Sequence, residues 1–241
     1  MSGMIETGFE YTADGQAYRG LLLKAPNLEV KAAIVVLPDW RGQSALARAH
    51  AEHLVALGCV ALIADLYGDG FSPDRPDQVG PLVKRLIDRR AHGVTALAAC
   101  VDRLRSEIPF GTPLVCLGYS AGGMVALDYG RSGADIAGII LCSALLKTAS
   151  KEMNTRINAP VLILQGTQDQ VSPMETIAAV IAEMDGAGND VRFELYTQTH
   201  HAFDNPEAGA DPNARLVYSP TSAQRAKTAI ASFVREVVER S

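Results

Sequence analysis

The chain has little that would tie it to an oxidising compartment, a metal or a polyanion. Its four cysteines, Cys59, Cys100, Cys116 and Cys142, lie far apart inside apolar segments, with no C-x-x-C pair. They read as buried free thiols, not as a disulfide framework or a zinc site. There is no basic surplus: 22 Lys and Arg stand against 27 Asp and Glu, a net charge of -5. The cations are scattered, which argues against a nucleic-acid partner. No apolar stretch approaches the length of about 18 residues that spans a membrane. Residues 1–10 carry neither the basic nor the apolar region of a secretion signal, so a cytoplasmic protein with no membrane partner is expected. Repeats, low-complexity tracts and linkers are also missing, and the 241 residues are read as one domain, 1–241. What is present is an ordinary globular composition, 48% hydrophobic and 20% charged, enough to bury a full core.

Short runs rich in Val, Ile and Leu recur at residues 32–37, 59–64, 113–117, 136–141, 161–165 and 191–196. They are too short for helices and read as parallel strands buried on both faces. A hairpin, 8–12 and 18–23 around Asp14-Gly15, precedes them. Segments with helical period fall between them, at 44–57, 81–105, 121–129, 173–184 and 221–239. Strand alternating with helix over short connections forces parallel neighbours and right-handed crossovers, hence an α/β fold with helices on both faces of the sheet. Residues 67–80 form the one long irregular stretch and are expected at the rim of a site.

Gly118-Tyr119-Ser120-Ala121-Gly122 matches G-x-S-x-G and lies between an apolar strand and a helical run. That is the setting the motif requires, because the serine must project from a tight, strained turn with small neighbours. The plain alternative is a strand-to-helix turn with no chemistry. A serine hydroxyl needs a base within hydrogen-bond reach and a third group to hold that base. In α/β-hydrolases the chain order is Ser, acid, His. Asp169 follows the strand 161–165 in a polar turn, at the carboxyl end where open α/β sheets place their sites; the plain alternative is a turn or cap residue. His200 and His201 follow the strand 191–196, and spacing alone does not choose between them. The amide of Ala121 and that of Trp40, in the loop after the strand 32–37, are the candidate oxyanion donors. His50 and His53, three apart on a helix, have no third ligand in view and are read as a solvated helix face; no metal is expected.

Together these segments resemble the dienelactone hydrolase family of α/β-hydrolases over nearly the whole chain. The likeness is carried by Leu37-Pro38-Asp39-Trp40-Arg41-Gly42, by Ala61-Leu62-Ile63-Ala64-Asp65-Leu66-Tyr67-Gly68, by Gly118-Tyr119-Ser120-Ala121-Gly122-Gly123, by Gly166-Thr167-Gln168-Asp169 and by His201-Ala202-Phe203. The resemblance implies an α/β-hydrolase fold without a large cap domain and a hydrolytic activity, and it selects His201 over His200. Two positions depart from the family's namesake enzymes. They carry cysteine where this chain has Ser120, and an arginine four residues after the catalytic His, where this chain has Asn205. Serine must pass its proton to His201 during attack, whereas a thiol can lose it beforehand. Asp39 stands where the family has an acidic residue that helps switch the cysteine; here it is either auxiliary or a solvated loop carboxylate.

The function expected is a cofactor-free serine hydrolase of small esters or lactones, with Ser120, His201 and Asp169 as nucleophile, base and orienter. Arg41, Tyr67, Tyr119, Ser143, Leu145 and Phe203, with Trp40, are the expected pocket residues. The alternatives are a dienelactone-type lactonase in which Arg41 or Arg85 holds an anionic substrate, a promiscuous hydrolase of activated phosphoesters, and a silent binding member of the fold. A monomer and a homodimer are both compatible with the sequence.

Overall fold

The computed structural model describes residues 3–27 and 29–241. Its apolar runs become eight strands: β1 Ile5–Ala13, β2 Gln16–Lys24, β3 Ala32–Leu37, β4 Cys59–Ile63, β5 Leu114–Tyr119, β6 Gly138–Ala144, β7 Val161–Gly166 and β8 Val191–Tyr196. Six α-helices join them: α1 Ala45–Ala56, α2 Val79–Asp88, α3 Arg90–Arg105, α4 Ser120–Arg131, α5 Met174–Gly186 and α6 Pro220–Arg240. The sheet order is β1-β2-β4-β3-β5-β6-β7-β8. The pairs β1/β2 and β2/β4 are antiparallel and all the others parallel. This is the α/β-hydrolase arrangement, with no large cap domain.

Why the central strands are apolar throughout is visible in β3. Ala33, Val35 and Leu37 face one layer, built on α3, α4 and α5. Ala32, Ile34 and Val36 face the other, built on α1 and α6. With side chains alternating across the pleat, a strand covered on both faces has no position left for a polar residue. Asp14 and Gly15 both adopt positive φ, 49° and 75°, the backbone that a two-residue hairpin needs to match strand twist.

Two expectations are corrected. The segment 81–105 is not one helix: Arg89, at φ -122° and ψ 43°, separates α2 from α3. The break lets two apolar stripes face different partners. Leu97, Cys100, Val101 and Leu104 of α3 enter the core, whereas α2 buries only Leu86. The run 191–196 is a strand, but an edge strand, with Arg192 and Glu194 partly in solvent and only Tyr196 buried; the charges blunt an open edge.

His53 of α1 has a buried Nε2 with no hydrogen-bond partner. Burial, with Lys227 and His50 nearby, holds its pKa below the ordinary value. The unfolded chain therefore binds this proton more readily, and the stability this site contributes is present above about pH 6.5 and lost as pH falls below it. Melting curves at pH 7.5 and 5.5 for wild type and His53→Leu test this. The acid-induced drop in Tm should be smaller in the variant; equal drops would mean that His53 charges freely in the folded state.

Candidate active site

The turn between β5 and α4 holds Ser120 at φ 46°, a left-handed conformation that costs a non-glycine residue about 1 kcal/mol or more. Neighbouring elements hold it there. The Ser120 carbonyl accepts the Leu145 amide at 2.8 Å. Two glycines make room: a Cβ on Gly122 would lie 2.3 Å from the Leu37 carbonyl oxygen, and one on Gly123 2.5 Å from the Ala144 Cβ. The Oγ of Ser120 lies 2.9 Å from His201 Nε2.

His201 follows β8 in a loop that pairs back on residue 216 and is fixed by the Val217 amide donating to the His201 carbonyl at 3.1 Å. Its Nδ1 lies 2.7 Å from Asp169 Oδ2. His201, not its neighbour His200, makes both contacts. Asp169 has a fully buried side chain in the loop after β7. Its Oδ1 accepts the Val171 and Ser172 amides at 2.7 and 3.0 Å, and its Oδ2 accepts Gln165 Nε2 at 2.6 Å. An acceptor-only carboxylate at Nδ1 sets the imidazole tautomer, leaving Nε2 as the acceptor that faces Ser120. Ser143, at the end of β6 and also left-handed at φ 48°, accepts the Ala202 amide on Oγ at 2.8 Å and so ties β6 to the His201 loop.

Two spaces open on Ser120 and His201. A cleft of about 520 Å³ runs between α2 (Val79, Val83, Ile87) and the loops bearing Leu145, Lys147, Val171 and Leu216. A chamber of about 40 Å³ lies beside Asp39, Tyr119, Ser143, Asp204 and Asn205. Trp40 borders both. Four of the expected pocket residues therefore line one space or the other: Trp40, Tyr119, Ser143 and Leu145.

Others are placed elsewhere. Phe203 is fully buried in the core, edge-on to Tyr196 at 5.6 Å between centroids. The left-handed Ala202, φ 59°, turns the chain away from the pocket at that point. Tyr67 lies beneath the cleft, and its hydroxyl donates to the Trp40 carbonyl at 2.8 Å, steadying that loop. Arg41 is spent on Asp39, at 2.7 Å, and on Glu207, at 2.9 Å. Arg85 donates to the Tyr67 carbonyl. Neither arginine is among the cleft-lining residues; the cations that are, Lys84, Lys147 and Arg215, were not anticipated. For α2 a signal existed, since Val79, Val83 and Ile87 repeat every fourth residue on a helix that gives the core almost nothing.

Ala121 is the second residue of α4, so its amide is one of the first-turn N–H groups with no intrahelical acceptor. The Trp40 amide likewise has no backbone acceptor among the described residues. His50 stacks on Tyr119 at 4.0 Å and meets Asp204 at 3.3 Å, and no group of metal-ligating residues is found among the described residues. All four cysteines are buried and free; burial pushes the thiol of Cys59 up to about 11 and that of Cys100 up to about 12. No helix among the described residues is long and apolar enough to cross a membrane.

Comparison with known proteins agrees with this fold. The profile of the dienelactone hydrolase family matches residues 19–238. Among solved structures, m3DLH is 32% identical with a TM-score of 0.90, over 97% of this chain and 98% of that one. A dienelactone hydrolase-like promiscuous phosphotriesterase from metagenomic libraries is 25% identical, also with a TM-score of 0.90, over 97% and 98% of the two chains. A cold-adapted esterase from an Arctic intertidal metagenomic library shares the fold at 15% identity and a TM-score of 0.69, over 99% and 95%. Comparison with curated protein sequences gives no match. The chain belongs to the dienelactone hydrolase family.

Proposed function

We propose that the protein hydrolyses carboxylic esters or lactones of small substrates through an acyl-enzyme on Ser120. The observation that carries this reading is the continuous line from Ser120 Oγ to His201 Nε2, 2.9 Å, and from His201 Nδ1 to Asp169 Oδ2, 2.7 Å. His201 takes the hydroxyl proton as Ser120 attacks the carbonyl carbon. The amides of Ala121 and Trp40 stabilise the oxyanion, His201 returns the proton to the leaving alkoxide, and water then cleaves the acyl-enzyme. Asp39, held by Arg41, serves the loop that carries Trp40 and takes no proton in this scheme. The mechanism draws on no cofactor.

A second reading, a lactonase for a small anionic substrate, is favoured by Lys84, Lys147 and Arg215 around the cleft, which contains no carboxylate. A neutral phosphotriester is a further candidate substrate, because a solved relative is described as a promiscuous phosphotriesterase.

One assay series addresses all three: p-nitrophenyl acetate, butyrate, octanoate and hemisuccinate, and a p-nitrophenyl dialkyl phosphate, with wild type and Ser120→Ala. Ester turnover should fall by about three orders of magnitude or more in the variant. Equal rates would make Ser120 a turn residue and give the lead to a non-catalytic binding role. A kcat/KM for hemisuccinate well above that for butyrate would favour the anionic reading.

A further inference from the structure

Of the two spaces that meet at Ser120 and His201, only the cleft has the dimensions of a substrate. The chamber, about 40 Å³, has room for one or a few water molecules and is more than ten times smaller than the cleft of about 520 Å³. Its walls are mixed: Trp40, Ala202 and Leu216 share the lining with Asp39, Ser143, Asp204 and Asn205. Asn205 is 7% exposed; its Oδ1 accepts the Glu207 amide at 3.0 Å, and its Nδ2 makes no hydrogen bond among the described residues. The Ser143 Oγ accepts the Ala202 amide and lies 3.4 Å from His201 Nδ1, whose proton goes to Asp169. The Ser143 hydroxyl proton is therefore free to be donated. Asp39 adds a carboxylate edge. Two donors and an acceptor in a space of this size match the two to four partners that an ordered water requires.

We propose that the chamber seats the hydrolytic water of the second half-reaction and that Asn205 is one of the groups that hold it. This rests on the acyl-enzyme reading above. The seated water attacks the acyl carbonyl carbon, its proton passing to His201 Nε2 as the carbon–oxygen bond forms. The tetrahedral intermediate then collapses: the bond to Ser120 Oγ breaks, Oγ takes the proton back from Nε2, and the carboxylic acid leaves. Substrate occupies the cleft throughout, so the water need not wait for the cleft to empty.

Two variants test the assignment in stopped-flow release of p-nitrophenol from p-nitrophenyl butyrate, with the intact mass of protein quenched during the steady state. Asn205→Leu fills the chamber with an apolar side chain. Asn205→Asp keeps the oxygen that accepts the Glu207 amide and removes the Nδ2 donor, so it carries the test if the leucine variant does not fold. The burst, which reports acylation, should stay within about threefold of wild type. The steady-state rate should fall about tenfold or more, with a butyryl adduct building up on Ser120. Equal slowing of both phases, unchanged deacylation, or a raised KM without adduct would overturn the proposal; the last would make the chamber a substrate subsite. If Ser120→Ala turns esters over as fast as wild type, the acyl-enzyme reading itself falls and takes this inference with it.

Discussion

Replacing Asp169 by Asn is expected to lower kcat for p-nitrophenyl butyrate by about 10⁴-fold while leaving KM nearly unchanged. The hydrogen bonds around this side chain dictate the size of the effect. One carboxylate oxygen accepts two backbone amides, from Val171 and Ser172. An asparagine must put its own oxygen there, because an NH₂ group cannot accept. Its nitrogen then faces His201 Nδ1 and Gln165 Nε2, the two donors that the native oxygen accepts. The imidazole answers by moving its proton to Nε2, where it can no longer accept from Ser120. Gln165 cannot easily turn over, since its Oε1 accepts the Ala144 amide at 3.1 Å and its Nε2 also donates to the Ala144 carbonyl at 3.3 Å. The conflict also costs stability, about 1–3 kcal/mol for a buried polar group left without its partner. Steady-state kinetics and a melting curve measure both. A kcat within tenfold of wild type would show that His201 keeps its tautomer without Asp169, and would remove the orienter from the mechanism.

The parts of this site that could be read in the sequence are those whose position follows from the order of elements. Ser120, Asp169 and His201 each lie just past the carboxyl end of a parallel strand, β5, β7 and β8, and the carboxyl ends of parallel strands share one edge of the sheet. Knowing the strands was enough to know that the three residues meet. Which of two adjacent histidines turns inward is a different kind of question, answered by loop dihedrals. The resemblance to H-[GA]-F chose His201, and the left-handed Ala202 beside it is the physical counterpart. That same turn defeats the expectation for Phe203, because sequence adjacency to a residue of the site says nothing about the direction of a side chain past a positive φ. The cations illustrate the limit on a helix. Lys84 and Arg85 are neighbours in sequence, yet successive residues of a helix point about 100° apart. One borders the cleft and the other caps a carbonyl beneath it. Which is which depends on how α2 lies on the rest of the fold, and its exit at Arg89 left no proline or glycine as a mark.

The cleft wall rests on a buried charge network that is the natural target of a second large effect. Asp128, on α4, has a side chain only 1% exposed and binds Arg90 of α3 at 2.6 Å and Arg131 at 2.9 Å. Arg131 in turn binds Glu183 of α5, whose other oxygen accepts the Ala149 amide at 2.7 Å. Beyond Asp128 the two guanidinium groups donate to the Thr148 and Lys147 carbonyls, at 3.1 and 2.9 Å. The residues so held directly follow Leu145, and Lys147 itself lines the cleft. Asp128→Ala leaves two cations facing each other without their shared acid, one of them as buried as Asp128 itself. Losing one partner of a buried ion pair costs about 3–5 kcal/mol, and in a chain of this length about 2–4 °C of Tm is lost per kcal/mol. Tm should therefore drop by about 10 °C. Because the carbonyls of the cleft wall lose their anchors while the line from Ser120 to Asp169 does not, KM for octanoate should rise several-fold and kcat for acetate should change little. A fall of only a degree or two would mean that Glu183 alone can neutralise both arginines. A loss of kcat as large for acetate as for octanoate would mean instead that the network supports the helix that begins at Ser120, α4, and not the wall of the cleft.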